Sequence, residues 1–75
     1  MSTFCNQFTN RQIQITKLID EEGLTNAEIA NRLGLATSTI KNELNVMLAL
    51  SGASNRVKLA IMMRKENCFD TTYEL

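Results

Sequence analysis

Apolar residues recur at helical spacing along most of the chain and mark out four segments. In the first, Thr9 followed by Gln12 fits a capping box, in which each side chain satisfies the other's free backbone amide. Ile15, Leu18 and Ile19 then form a stripe, and Gly23 stands where a helix ends in the left-handed conformation, so the pattern predicts a helix over about residues 10 to 21. The second segment repeats the device with Thr25 and Glu28, turns Ile29, Ala30 and Leu33 to one side and stops at Gly34, which gives a short helix of about two turns. The third begins near Thr37 and stops at Ser51-Gly52. Ile40, Leu44, Met47 and Leu48 share its inner face, while Lys41, Asn42 and Asn45 fall outside. The fourth is predicted from Ser54, a plausible N-cap, to Lys65. It carries two apolar stripes, Val57-Ala60-Ile61 and Leu59-Met62-Met63. A helix apolar over most of its circumference is buried on more than one side. In a chain this small, one side is expected to meet another chain, and Leu59, Met62 and Met63 are assigned to that dimer contact.

Length and composition narrow the picture. At 75 residues the chain makes one domain. A domain of this size buries only about 60% of its unfolded surface and gains much from a partner. Residues 1–7 form an N-terminal extension, 8–65 the domain, and 66–75 a tail without clear period that is expected to be loosely held. No apolar run approaches the roughly 18 residues of a membrane span, and the N-terminus lacks a signal-peptide pattern, so the expected location is cytoplasmic. The two cysteines, Cys5 and Cys68, have no CxxC spacing and no secretory signal, and are expected to be plain reduced thiols. The sequence has no His at all, which removes zinc-finger spacing and His-based triads. Without a phosphate loop or paired carboxylates at a pocket, no enzyme, cofactor or metal is expected. The single tyrosine, Tyr73, offers no stacking platform for single-stranded nucleic acid.

Charge adds a constraint. Eight basic residues balance eight acidic ones, which limits non-specific attraction to a phosphate backbone. The distribution is uneven. Arg56, Lys58, Arg64 and Lys65 lie in a stretch without acid, Asp20, Glu21 and Glu22 make an acidic cluster read as a solvated face, and Glu66, Asp70 and Glu74 follow in the tail.

The second and third helices hold the functional pattern. A short capped helix, a tight turn with Gly34 and a longer amphipathic helix with a polar outer face make a helix-turn-helix. A helix fits the major groove of B-DNA, and Thr37, Ser38, Thr39, Lys41, Asn42 and Asn45 suit base edges or phosphates there. The competing reading of the same polar face is simple solvation. Thr25 and Glu28 are read first as cap residues. Arg56 fits two roles equally, a phosphate contact or a brace to the acidic cluster. Met47, Met62 and Met63 are read as packing rather than special chemistry.

The residues themselves go further. Phe8-Thr9-Asn10-Arg11-Gln12, Gly23-Leu24-Thr25-Asn26-Ala27-Glu28-Ile29-Ala30, Leu33-Gly34-Leu35, Thr39-Ile40-Lys41, Arg56 and Ala60 resemble the LuxR/GerE family of DNA-binding domains. The resemblance implies an all-α, four-helix helix-turn-helix fold, with the third helix in the major groove and the fourth in a homodimer contact. It implies DNA contacts from Lys41, Asn42 and Asn45, with Thr25, Asn26, Thr37, Ser38, Thr39 and Arg56 beside them. The length is similar to that of stand-alone, GerE-like members. The chain departs from the family at Ala27, Ala36, Glu43 and Ala49, where Lys, Ser, His and Lys are usual. Each lost phosphate contact removes roughly one unit of salt slope. Two functions follow. One is a homodimeric, sequence-specific regulator of transcription on double-stranded DNA. The other is an interaction module with weakened DNA affinity that pairs with another LuxR-type regulator or RNA polymerase.

Overall fold

The structure, a computed structural model, describes residues 3–69. Its elements are α1 (Thr3–Asn6), α2 (Asn10–Glu22), α3 (Asn26–Leu33), α4 (Thr37–Ser51) and α5 (Arg56–Lys65). The last four are the helices predicted from the sequence, and the described residues are otherwise turns and short connections.

Local signals set the helix ends. At Thr9 the hydroxyl accepts from the Gln12 amide at 3.1 Å, and the Gln12 carboxamide accepts from the Thr9 amide at 2.9 Å. Thr25 and Glu28 repeat this arrangement at 3.2 and 2.9 Å. Helix α3 ends at Gly34, whose φ of 70° lies in the left-handed region that a side chain makes costly. The next amide, of Leu35, then bonds back to the Ala30 carbonyl at 2.9 Å, so α4 departs at a fixed angle. Helix α5 starts one residue later than Ser54 would allow. The Asn55 carboxamide accepts from the Lys58 amide at 2.9 Å and takes the N-cap role.

The core is shared by all five helices. Ile15 from α2, Ile29 from α3, Ile40 and Met47 from α4, and Leu59 and Met63 from α5 are fully buried. Thr16 is the buried polar residue at its centre, with Oγ1 3.0 Å from the Gln12 carbonyl and 3.2 Å from Met47 Sδ. That satisfies the hydroxyl and ties α2 to α4, as burial of a polar group requires.

Three expectations are corrected here. First, the two stripes of α5 are exchanged. Leu59 and Met63 are 0% exposed, and Met62 is half-buried, whereas Val57 is 60% and Ile61 38% exposed. Packing of α5 across α2 and α4 claims the Leu59-Met63 side for the protein's own core, so those two side chains are not available to a second chain. Second, the cysteines are not separate thiols. Cys5 and Cys68 form a disulfide with Cα atoms 5.4 Å apart. The fold brings together residues separated by 63 positions, a closeness no spacing rule contains. Third, both terminal segments contribute to the core. Cys5, with Phe4 packed beside it, belongs to the core, and Cys68 is buried in the turn after α5. Asp70, Tyr73 and Glu74 lie outside the described residues.

Candidate nucleic-acid interface

The site is built on the turn from α3 to α4, where Gly34 takes a left-handed conformation. Core residues Ile40, Leu44 and Met47 fix the inner face of α4. Helical geometry then sends Ser38, Lys41, Asn42, Asn45 and Ala49 to the opposite side, and all five are exposed. Among the described residues no hydrogen bond or ion pair engages the side chains of Ser38, Lys41, Asn42 or Asn45. Thr37 is exposed at the first position of α4, while Thr39 is half-buried on the flank. The N-cap residue Ala36 makes no side-chain cap bond, so the amides of Thr37 and Ser38 lack a side-chain acceptor, while the Thr39 amide donates to the Ala36 carbonyl at 3.0 Å.

Helix α3 is arranged differently. Most of its polar side chains, though not Asn31, are engaged within the protein. Thr25 and Glu28 are committed to their capping box, and the Thr25 amide, followed by its hydroxyl, holds the Glu28 carboxyl below its ordinary value. Asn26 is half-buried and accepts from Arg56 through Oδ1 at 2.6 Å. Arg56 also donates to the Leu24 carbonyl at 3.3 Å. Arg56 therefore does not reach the acidic cluster. It clamps the start of α5 onto the start of α3, and burial lowers its pKa while the guanidinium remains charged. No carboxylate neutralises it among its hydrogen-bond partners, so its charge stays beside the α3 N-terminus.

The acidic cluster is more engaged than a solvated face. Glu22 forms a two-pronged pair with Arg32 at 3.0 and 3.0 Å, which pulls the Glu22 carboxyl below its ordinary value. Asp20 accepts from Arg64 at 2.8 Å and ties α2 to α5. The Arg32–Glu22 pair is exposed, and such pairs contribute little individually.

Glu43 changes the electrostatic reading of α4. By sequence it adds an anion beside the reading positions. In the structure its carboxylate turns toward α2, accepts from the Gln12 carboxamide at 3.2 Å and lies 3.9 Å from Arg11. The negative charge is thus drawn to the α2 flank and partly offset there. Gln12 serves two purposes, with its oxygen closing the α2 cap and its nitrogen holding Glu43. Sequence reasoning missed this because the partner lies 31 positions away. It also missed Val46, an apolar residue that is 47% exposed at the edge of the outer face.

The fold agrees with comparisons to known proteins. Residues 6–63 match the family model GerE, described as bacterial regulatory proteins of the luxR family. The chain is 39% identical over 64 residues to the nitrate/nitrite response regulator protein NarL of Escherichia coli strain K12, and equally to NarL of Escherichia coli O6:H1. The match covers 85% of this chain but only 29% of either relative. No solved structure matches the chain. The matched stretch contains the whole α2–α4 segment and nearly all of α5, and on that footing the chain belongs to the luxR family of bacterial regulatory proteins, a family of DNA-binding transcription regulators.

Proposed function

We propose that this chain works as a homodimer that recognises specific duplex DNA by laying the outer face of α4 in the major groove. One observation carries the reading. Ser38, Lys41, Asn42 and Asn45 are exposed together on a helix whose opposite face is locked into the core, and nothing within the described residues engages them. Their donors and acceptors match those of base edges, and an α-helix matches the groove. Thr37 and Thr39 flank that face, and the Arg56 cation, held beside the start of α3 by Asn26 and next to Thr25, is where a phosphate would sit. Such a regulator works where the chromosome is, in the cytoplasm.

The dimer contact moves to the side of α5 that the core leaves open. Val57 and Ile61, one helical turn apart and both exposed, replace Leu59 and Met63, with Met62 at the margin. A two-fold dimer would favour an inverted-repeat site. The test is affinity selection from random duplex DNA, followed by anisotropy on the selected site and a mass measurement of the free protein. Sequence-preferring binding that weakens in Lys41→Ala is expected. Binding that is indifferent to sequence at low salt would remove the reading.

A second reading keeps the fold for protein contact, as a partner of another luxR-type regulator or of RNA polymerase. It is favoured by the exposed apolar residues Val46, Leu50, Val57 and Ile61 on a chain of zero net charge. It predicts recovery of a regulator or polymerase, and not of DNA, when the chain is used as bait.

A further inference from the structure

We propose that Val46 reads the methyl group of thymine, and that the base pairs facing Asn42, Asn45 and Val46 are A·T. The proposal rests on the DNA-reading function above. Its starting point is the chemical inventory of the outer face of α4. Ser38, Lys41, Asn42, Asn45, Val46 and Ala49 are exposed, and the face carries no arginine. Val46 stands one helical turn beyond Asn42 and next to Asn45 and is 47% exposed, with the polar Asn42 on one side along the helix and the exposed Ala49 and Leu50 on the other.

Each base edge in the major groove asks for a different partner. Adenine offers a donor and an acceptor that a carboxamide matches with two bonds, and thymine offers a methyl group that an apolar side chain covers. Guanine asks for arginine or lysine, and cytosine for a carboxylate. Asn42 and Asn45 supply the carboxamides, and Val46 supplies the apolar surface. The carboxylate that could serve cytosine, Glu43, is held on the α2 flank by Gln12 at 3.2 Å and by Arg11 at 3.9 Å. The only cation of the face, Lys41, lies at the opposite edge from Val46, about 140° around the helix axis, so it can serve a guanine or a phosphate only on that other side. Asn42 and Val46 are about 6 Å apart along the axis, which spans neighbouring base pairs rather than distant ones.

The experiment uses the full chain and the duplex selected above. Each thymine of a half-site is replaced in turn by uracil, which lacks only the methyl group. At one position the affinity should fall about fourfold, the ratio expected for one buried methyl. The same replacement should have no effect on Val46→Ala, while Val46→Ile should retain the sensitivity. Because Val46 is exposed, neither variant should unfold the chain, and circular dichroism checks this. The proposal is overturned if selected half-sites are centred on G·C pairs, if uracil is tolerated at every position, or if Val46→Ala stays uracil-sensitive. It is also overturned if Val46→Ala leaves the DNA response unchanged and instead alters the oligomeric mass, which would make the flank a protein contact. These results leave the DNA-reading function standing. If no duplex is enriched at all, that function fails and this proposal with it.

Discussion

Helices α3 and α4 are neighbours across a three-residue turn and begin in opposite ways. The start of α3 is closed. Thr25 and Glu28 cap it, Arg56 grips Asn26, and Glu22 holds Arg32 near its far end. The start of α4 is open, with Ala36 in the capping place and a run of polar side chains facing outward. An uncapped helix start gives up roughly 1 kcal/mol of stability. The domain tolerates this because α4 is held by its inner face, through Ile40, Leu44 and Met47. The contrast separates support from contact. Thr25, Asn26 and Glu28 at the start of α3 have partners inside the protein, whereas Ser38, Lys41, Asn42 and Asn45 on α4 are free to meet something else.

The largest effect should come from setting the two faces of α4 against each other. Ile40 is fully buried and Lys41 beside it is exposed. Ile40→Ala should cost about 2–5 kcal/mol, enough to unfold most of so small a domain at room temperature. Lys41→Ala should leave the melting temperature nearly unchanged, within about 0.5 kcal/mol, while weakening DNA binding and lowering its salt slope by about one. Thermal melts paired with salt-dependent anisotropy read both. Equal losses of stability in the two variants would erase the division between an inner supporting face and an outer contact face.

Next in size is the tie between the ends of the described chain. Opening the Cys5–Cys68 disulfide, which closes a long loop, should lower stability by about 2–4 kcal/mol. For a domain of this length that is about 4–8 °C of melting temperature for each kcal/mol. Melts with and without a thiol reductant should differ for the native chain and coincide for Cys68→Ala. DNA specificity should survive reduction, because neither sulfur lies on α4. A native chain whose melting point ignores reductant would show that the two thiols are not joined in solution. A reducing compartment disfavours such bonds, so the melt in reductant also measures the stability of the chain without the cross-link.

What could be read from the sequence follows the range of each interaction. The caps at Thr9, Thr25 and Gly34 involve residues three to four apart, so residue types and spacing were enough to place α2 and α3. The outer face of α4 was equally legible, since helical period alone separates Asn42 and Asn45 from Ile40 and Leu44. Helix α5 resisted because both of its stripes satisfy that period. Only its packing against α2 and α4 decides that Leu59 and Met63 are inside and Val57 and Ile61 outside. The same limit applies to Glu43, whose direction depends on Gln12, and to Arg56, whose grip on Asn26 spans 30 positions.

A smaller change should convert the open helix into a copy of the closed one. Ala36→Ser places a hydroxyl at the N-cap of α4, where the backbone is already extended at φ −76° and ψ 147°. The Thr39 amide already donates to the Ala36 carbonyl at 3.0 Å, so the hydroxyl would share it, and the gain should be at most about 1 kcal/mol, seen as a higher melting temperature. If the free amides of α4 take part in phosphate binding, the same variant should lose some DNA affinity despite its added stability. A variant that is no more stable would show that the α4 start is already satisfied in solution.

The smallest effect is an acid response confined to the closed side. Hydrogen bonds from Arg32 to Glu22, and from Thr25 to Glu28, favour the charged carboxylates and hold both groups below their ordinary value of 4.5. A carboxyl depressed in the folded state adds stability that is fully present above the unfolded value and disappears as pH falls through the lowered folded value. Melting temperature should therefore be flat near neutrality and begin to fall below about pH 5. Glu28→Gln separates the cap from the charge, because a carboxamide still accepts from the Thr25 amide but no longer titrates. That variant should keep a near-native melting point at neutral pH and lose part of the acid slope. Both carboxylates are exposed, so the change is modest and is reduced by salt. A Glu28→Gln variant that kept the full acid slope would show that the charge at the α3 cap does not carry it, and the start of α3 would be closed by geometry alone.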